Sequence, residues 1–246
     1  MSEKYRVIPL VEGFPGKSAT HGAFGWSSLW LLDDGARRVL VDAGHPGYVP
    51  LIHEGLERAG LRASDITDVL ITHMHWDHVA NVTMFDKATV WVGADELEWA
   101  AQQPIGTPFI PDLHVKELRN RRDEIELIAG EAEVLPGIHV LTSPGHTPHH
   151  LAFFVEGDHG GVIFAGDSVK NIHELTTGRA DSTLDAAAST CTVNKLRSVM
   201  AETGAALVPG HDVALRLIDG AISREHPPRV AVGYIDADGE HDRHLT

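Results

Sequence analysis

The sequence predicts an α/β chain folded as a four-layer αββα sandwich, a single domain spanning residues 1–246. Three observations carry this. Short apolar strand runs group towards the two ends of the chain, and helical stretches follow each group. Residues able to bind ligands recur directly after several of those runs, where ligands tend to sit in layered α/β proteins. No repeat of fixed period and no long polar linker divides the chain.

The run Arg6-Val7-Ile8-Pro9-Leu10-Val11 reads as a first strand, at a sheet edge because Pro9 cannot donate to a ladder. Residues 13–25 are glycine-rich and read as a loop. Ser28-Leu29-Trp30-Leu31-Leu32 and Arg38-Val39-Leu40-Val41-Asp42 flank Asp34-Gly35 and read as a hairpin. Residues 50–59 carry Leu51, Ile52, Leu56 and Ala59 at helical spacing, and Gly60 stops the helix. Asp68-Val69-Leu70-Ile71 is a short buried strand. Beyond His78 a short helix, a strand over 88–92 and a helix over 94–101 are expected.

Residues 103–111 hold three prolines and a glycine, which forbid regular structure there. The segment is either a rigid connector packed on the domain or the wall of a substrate pocket. A mostly exposed helix is expected over 114–128. From Glu133 the pattern turns to short strands, at 134–135, 138–141, 152–155 and 161–165. A helix over 185–203 ends at Gly204. A last strand, Ala206-Leu207-Val208, precedes a final helix over 213–222. From about residue 226 the tail is expected to be irregular, opened by Pro227-Pro228.

Composition narrows the function. The net charge is −15 and the pI is about 5.5, which disfavours phosphate-backbone binding. The one basic cluster, Arg119 to Arg122, runs straight into Asp123 and Glu124 and reads as a solvated face. Cys191 is the single cysteine, so no intrachain disulfide forms; it reads as a small helix-packing residue rather than a nucleophile. The start, Met1 to Arg6, has no apolar leader core, and no apolar run reaches membrane-spanning length. The expectation is a cytoplasmic protein with a small-molecule substrate, no nucleic-acid partner and no membrane partner; homo-oligomerisation is left open.

The stretch Thr72-His73-Met74-His75-Trp76-Asp77-His78 follows the strand ending at Ile71. Imidazole nitrogen and carboxylate oxygen suit zinc and similar divalent cations. His73 and His75, two apart on extended backbone, project to the same side. Asp77 and His78 are adjacent and diverge towards a second point, so the turn points to two metals. Ser143-Pro144-Gly145-His146-Thr147-Pro148, Ala165-Gly166-Asp167 and Pro209-Gly210-His211-Asp212 each place one more ligand type after a strand and beside small residues.

Taken together, HxHxDH, PGHT, GD and PGHD resemble the metallo-β-lactamase fold hydrolases, from about Tyr5 to Ile222. The resemblance implies two mixed β-sheets flanked by helices. It implies that His73, His75 and His146 bind one metal, that Asp77, His78 and His211 bind a second, and that Asp167 bridges them. His75 stands where oxygen-reducing diiron relatives carry a glutamate, which argues for hydrolysis. The implied cofactor is two divalent ions per chain, zinc favoured, with Mn(2+) or Fe(2+) as alternatives. Two cations about 3.5–4 Å apart lower the pKa of a shared water and polarise a carbonyl. Asp77 can orient the attacking hydroxide.

Within this superfamily the lactonase-like branch fits best, by size and by the PGHTPxH run. The expected reaction is hydrolysis of a small ester or lactone-like substrate. Alternatives are a thioester, organophosphate or aryl ether, or a mononuclear iron persulfide dioxygenase. Quorum-quenching lactonases carry a tyrosine three residues after the bridging aspartate; here that residue is Lys170, which either donates to the departing oxygen or is a surface charge. Nearby His173 is a further candidate substrate contact. Apolar substrate contacts are expected from Phe24, Trp26, Trp76, Ile105 and Phe109, although all but Trp76 could equally be core residues.

Overall fold

A computed structural model describes residues 5–122, 124–157 and 160–246. The first four residues of the chain start and Asp123 of the charged run lie outside the described residues. In chain order the first half comprises β1 (Arg6–Val11), β2 (Lys17–Ser18), β3 (Gly22–Ala23), β4 (Leu29–Asp33), β5 (Arg38–Val41), α1 (Val49–Arg58) and β6 (Asp68–Leu70). It continues with α2 (Trp76–Val79), β7 (Thr89–Gly93), α3 (Ala94–Ala101), α4 (Asp112–Asn120) and β8 (Glu126–Ile128). The second half comprises β9 (Glu133–Leu135), β10 (Ile138–Thr142), β11 (Leu151–Val155), β12 (Val162–Gly166), α5 (Ile172–Thr177), α6 (Ala186–Thr203) and β13 (Ala206–Pro209). It closes with β14 (Leu215–Ile218), β15 (Ala221–Arg224), β16 (Val230–Asp236) and β17 (Gly239–Leu245).

Two mixed sheets result. One has the order β1-β4-β5-β6-β7-β8, antiparallel up to β5 and parallel from β5 onwards. The other has the order β15-β14-β13-β12-β11-β10-β9, with β12 and β13 its parallel pair. Strand alternation separates the layers. Leu29, Leu31, Leu40 and Val69 turn outward against Ile52 and Leu56 of α1, Leu97 of α3 and Leu118 of α4. Trp30, Leu32, Val39, Val41 and Leu70 turn inward and meet Ile138, Val140, Phe153, Phe164 and Val208 of the second sheet. Ile163, Ala165 and Leu207 face Leu175 of α5 and Val193, Leu196 and Met200 of α6. Three apolar seams thus bind four layers, each fully buried large side chain contributing roughly 1.5–3 kcal/mol.

Several local expectations are corrected. The helix expected over 114–128 stops at Asn120, and the alternating Glu124-Ile125-Glu126-Leu127 stretch leads into β8 instead, parallel to β7. The helix expected over 213–222 is the hairpin β14–β15. Asp219 and Gly220 both take positive φ, 49° and 79°, the turn geometry that joins two strands tightly. The tail expected to be irregular from 226 is a second hairpin, β16–β17, paired from Val230↔Leu245 to Asp236↔Gly239. Its Val-Ala-Val-Gly-Tyr-Ile run is rich in the β-branched and aromatic residues enriched in strands. Helix α5 was not foreseen; Asn171 caps it by accepting from the Glu174 N–H at 3.2 Å. Cys191 is exposed on α6 rather than packed.

Candidate metal centre

Every candidate ligand lies just beyond the C-terminal end of a strand. The segment between β6 and α2 is irregular, bends at Thr72, and ends on His75, which carries φ −85° and ψ 151° as the N-cap of α2. The rings of His73 and His75 come together all the same, with centroids 4.6 Å apart. Asp77 and His78 then fall in the first turn of α2 and point elsewhere. His146 leaves the loop between β10 and β11, Asp167 follows β12, and His211 follows β13. Two glycines make this convergence possible. A side chain at Gly210 would collide with Oδ1 of Asp167, and one at Gly166, where φ is 48°, would strike Thr72 and His150.

The ligand atoms gather into three overlapping groups: His73, His75 and His146; His73, His78 and Asp167; and Asp77, His78 and His211. Within each, all ligand atoms lie within 4.8 Å of one another. Nδ1 of His75 is 3.0 Å from Nε2 of His146. The two oxygens of Asp167 divide between the groups. Oδ2 lies 3.3 Å from Nε2 of His146, while Oδ1 lies 3.3 Å from Nε2 of His78 and 3.2 Å from Nε2 of His211. Oδ2 of Asp77 is 3.5 Å from Nε2 of His211.

Partners behind the ligands fix which nitrogen faces inward. His78 donates Nδ1–H to Asp42 at 2.7 Å, and His146 donates Nδ1–H to the Ser182 carbonyl at 3.0 Å. Thr72 gives its hydroxyl proton to Asp42 at 3.0 Å, so its oxygen accepts from Nδ1 of His73 at 3.1 Å. In all three rings Nε2 is left for a cation. Nε2 of His73 and of His78 is buried and makes no hydrogen bond among the described residues. Buried polar atoms are almost always paired, so these two nitrogens mark a place built for something else. The nitrogen and oxygen donors fit a divalent metal ion.

Electrostatics divide the rings into two sets. Burial, reinforced by neighbouring imidazoles, holds His73 well below the usual histidine range. Burial brings His75 down to about 4 despite Asp167 and Asp77, and also depresses His146. His78 is buried too, but Asp42, Asp77 and Asp167 overcome the burial and raise it. For His211, Asp167 likewise outweighs burial. Asp167, although buried, is held well below the carboxylate range by His211, His146 and His78.

A cavity of about 690 Å³ opens over this cluster, bounded at its base by His75, Asp77, His146, Asp167 and His211. Of the expected apolar contacts, Trp76 and Phe109 line it. The segment 103–111 is a pocket wall: Gln103, Thr107, Pro108, Phe109 and Ile110 all face the cavity. Phe109 takes φ 70° and accepts the Trp76 N–H at 2.9 Å, which ties the wall to the ligand loop. Four of the expected contacts lie outside the cavity lining: Ile105 is 93% exposed, Phe24 stacks on Trp26 at 4.1 Å, Trp26 packs against the core, and His173 is exposed on α5. Lys170 does line it, with Nζ 3.0 Å from the buried Glu174 carboxylate.

Asp42, Glu96 and His150 were not foreseen as site residues. Asp42 had a visible signal, a carboxylate at a strand end beside Ala43-Gly44, like the other ligands. His150 closes the PGHTPxH run; its Nε2 accepts the Asp167 N–H at 3.1 Å and its Nδ1 faces Ser143 at 2.8 Å.

A two-sheet sandwich with buried imidazoles and carboxylates gathered at its strand ends has the donor set to hold metal ions. Comparisons with known proteins agree. A family model described as the metallo-beta-lactamase superfamily matches residues 24–211, and the chain belongs to that superfamily. It is 27% identical over 218 residues to metallo-beta-lactamase domain-containing protein 1 of Xenopus laevis, covering 87% of this chain and 82% of that protein. It is 24% identical over 159 residues to the N-acyl homoserine lactonase of Bacillus thuringiensis, covering 64% of this chain and only 60% of the lactonase. Among solved structures, a candidate metallo-beta-lactamase from Thermotoga maritima superposes with a TM-score of 0.71 at 23% identity, over 87% of this chain and 99% of that one. A B. thuringiensis AiiA variant with N-decanoyl-L-homoserine at its active site superposes with a TM-score of 0.64 at 21% identity, over 87% and 95%. No helix among the described residues is long and apolar enough to cross a membrane.

Proposed function

We propose that this chain is a dinuclear metal hydrolase, zinc favoured, that opens a small ester or lactone-like substrate. The observation that carries this reading is the division of the Asp167 carboxylate, one oxygen towards His146 and the other towards His78 and His211. A carboxylate so placed can serve two ions, one held by His73, His75 and His146 and one by Asp77, His78 and His211. Two such ions, when bound, would supply a nucleophile at neutral pH and polarise the carbonyl. The protein's own residues do the rest. Asp77, close to His211 and at the cavity base, is placed to accept a proton from the attacking water. Trp76, Phe109, Ile110 and Leu184 give the acyl or aryl portion an apolar bed and exclude water from it. The B. thuringiensis lactonase supports the lactone-like choice.

The electrostatic division predicts a pH signature. His73, His75 and His146 are neutral before a cation arrives, so affinity at that cluster should be nearly flat above about pH 5, because His75 titrates near 4. His78 and His211 hold protons to higher pH than a free imidazole, and a cation must displace them. Affinity at the second cluster should therefore climb with pH through and beyond 6.5. Competitive metal titrations over a pH series would read two different slopes; a single common slope would contradict the assignment.

Lys170 is assigned to the leaving-group side. Glu174 holds its ammonium at the cavity wall, where it can donate to a departing oxygen. A panel of lactones, aryl esters, thioesters and phosphotriesters, assayed with Lys170→Met beside the wild type, tests both substrate class and role. Lactones or esters should lead the panel. The variant should lose about 10²-fold in kcat and kcat/KM together with metal content intact, and the deficit should shrink as the leaving group becomes more acidic. An equal rate on poor leaving groups would reduce Lys170 to a structural partner of Glu174.

A further inference from the structure

Glu96 lies at the start of α3, where an acidic side chain usually faces solvent beside the helix N-terminus. Here it is turned inward and is 1% exposed. Its two oxygens take hydrogen bonds from two separate loops. Oε1 accepts the Met74 N–H at 3.1 Å, and Oε2 accepts the Thr147 hydroxyl at 2.9 Å. The His149 N–H donates to the same carboxylate. Met74 stands between His73 and His75, and Thr147 follows His146. The group that Glu96 clamps therefore carries the three histidines of one cluster and none of Asp77, His78 and His211.

We propose that Glu96 is a positioning residue dedicated to the His73–His75–His146 cluster. It fixes the backbone at Met74 and the turn at Thr147 so that three ring nitrogens converge on one cation. The inference rests on the two-cluster reading above. Asp42 offers the parallel on the other side, where a buried carboxylate orients His78 directly. Glu96 acts one step further back, through backbone and hydroxyl, and touches no ligand ring. Burial at this place carries a cost: it pushes the Glu96 carboxyl up to about 7. The surroundings reinforce the placement, because a side chain at Gly93 would crowd both Glu96 and Leu151. A carboxylate kept in so unfavourable a position, with every donor drawn from the two ligand loops, is explained by what it holds.

The test uses the full chain, stripped of metal and titrated with cobalt(II), followed by visible absorption and by heat. The wild type should take up two equivalents. Glu96→Ala should weaken one of them by about 10–100-fold, the size of effect seen when ligand-orienting partners are removed. That equivalent should be the one abolished in His146→Ala, and the other should keep its affinity. Glu96→Gln should recover most of the loss, since the amide oxygen accepts from Met74 while the Thr147 hydroxyl reverses to accept from the amide nitrogen. If Glu96→Ala does not fold, Thr147→Val carries the test, with a loss of about 2–10-fold at the same equivalent. Two unchanged equivalents in Glu96→Ala, or two weakened equally, would overturn the inference and leave the two-cluster reading standing. A wild type that takes up no cobalt would remove both.

Discussion

Replacing Asp167 with alanine is expected to lower turnover by about 10²–10⁴-fold, because it removes the carboxylate that faces both ligand groups. Losing charge stabilisation at one ion costs several kcal/mol in the transition state, and each 1.36 kcal/mol is tenfold in rate. The structural reason is local. Asp167 is 5% exposed, and its oxygens lie 3.2–3.3 Å from His146, His78 and His211. Without it, two cations would sit in one buried site with their mutual repulsion unscreened. One ion should therefore be lost as well as the rate, which metal analysis alongside kinetics would detect. A variant with full turnover and unchanged metal content would mean that Asp167 is not shared.

The second large effect is expected at Asp42, which contacts no substrate. Asp42 is buried, takes φ 64°, and accepts from the Thr72 N–H at 2.8 Å and from Nδ1 of His78 at 2.7 Å. Asp42→Ala strands these two donors and the Thr72 hydroxyl, and should destabilise the fold by about 3–5 kcal/mol, the range for breaking a buried charged pair. Asp42→Asn separates folding from function. Its carbonyl still accepts from Thr72, and asparagine tolerates positive φ. Its amide, however, would donate to Nδ1 of His78 and send the ring proton to Nε2, the atom that must face the cation. Asp42→Asn should thus melt within a few degrees of the wild type, yet bind metal about 10–100-fold more weakly. Thermal unfolding beside metal titration separates the two effects. Weakened folding with undiminished metal affinity would show that Asp42 is only a structural anchor.

The contrast between these two aspartates explains what could be read from sequence. Asp167, like His73, His75 and His146, lies in a short motif whose strand end and small neighbours are contiguous in the chain. Local spacing marked these as candidate ligands, and the family resemblance implied how they divide between two ions. Asp42 reaches His78 across 36 positions, and Glu96 reaches Thr147 across 51. Such pairings are set by which strands become neighbours, and β5 beside β6 is a parallel pairing that no local pattern specifies. The cavity wall shows the same division. Trp76 was legible because it is confined between ligands. Ile105 and Phe109 share a proline-rich segment, and only a backbone turn at Phe109, with φ 70°, decides which of them faces the cavity. Helix α1 followed from apolar spacing and the Gly60 stop, α3 from its Glu-, Leu- and Ala-rich composition, and α6 from its Ala-rich start and the Gly204 stop. The hairpins β14–β15 and β16–β17 rest on short turn signals, Asp219-Gly220 and Asp238-Gly239, rather than on a long apolar period.

The central claim is that two metal ions share Asp167, and the most direct test is the amount of metal the chain holds. Purified protein, loaded with zinc and dialysed to constant composition, would be analysed for metal per chain beside its hydrolytic rate. The account predicts a ratio near two, with activity lost to a chelator and regained only as the second equivalent returns. Full activity at a ratio near one would contradict it.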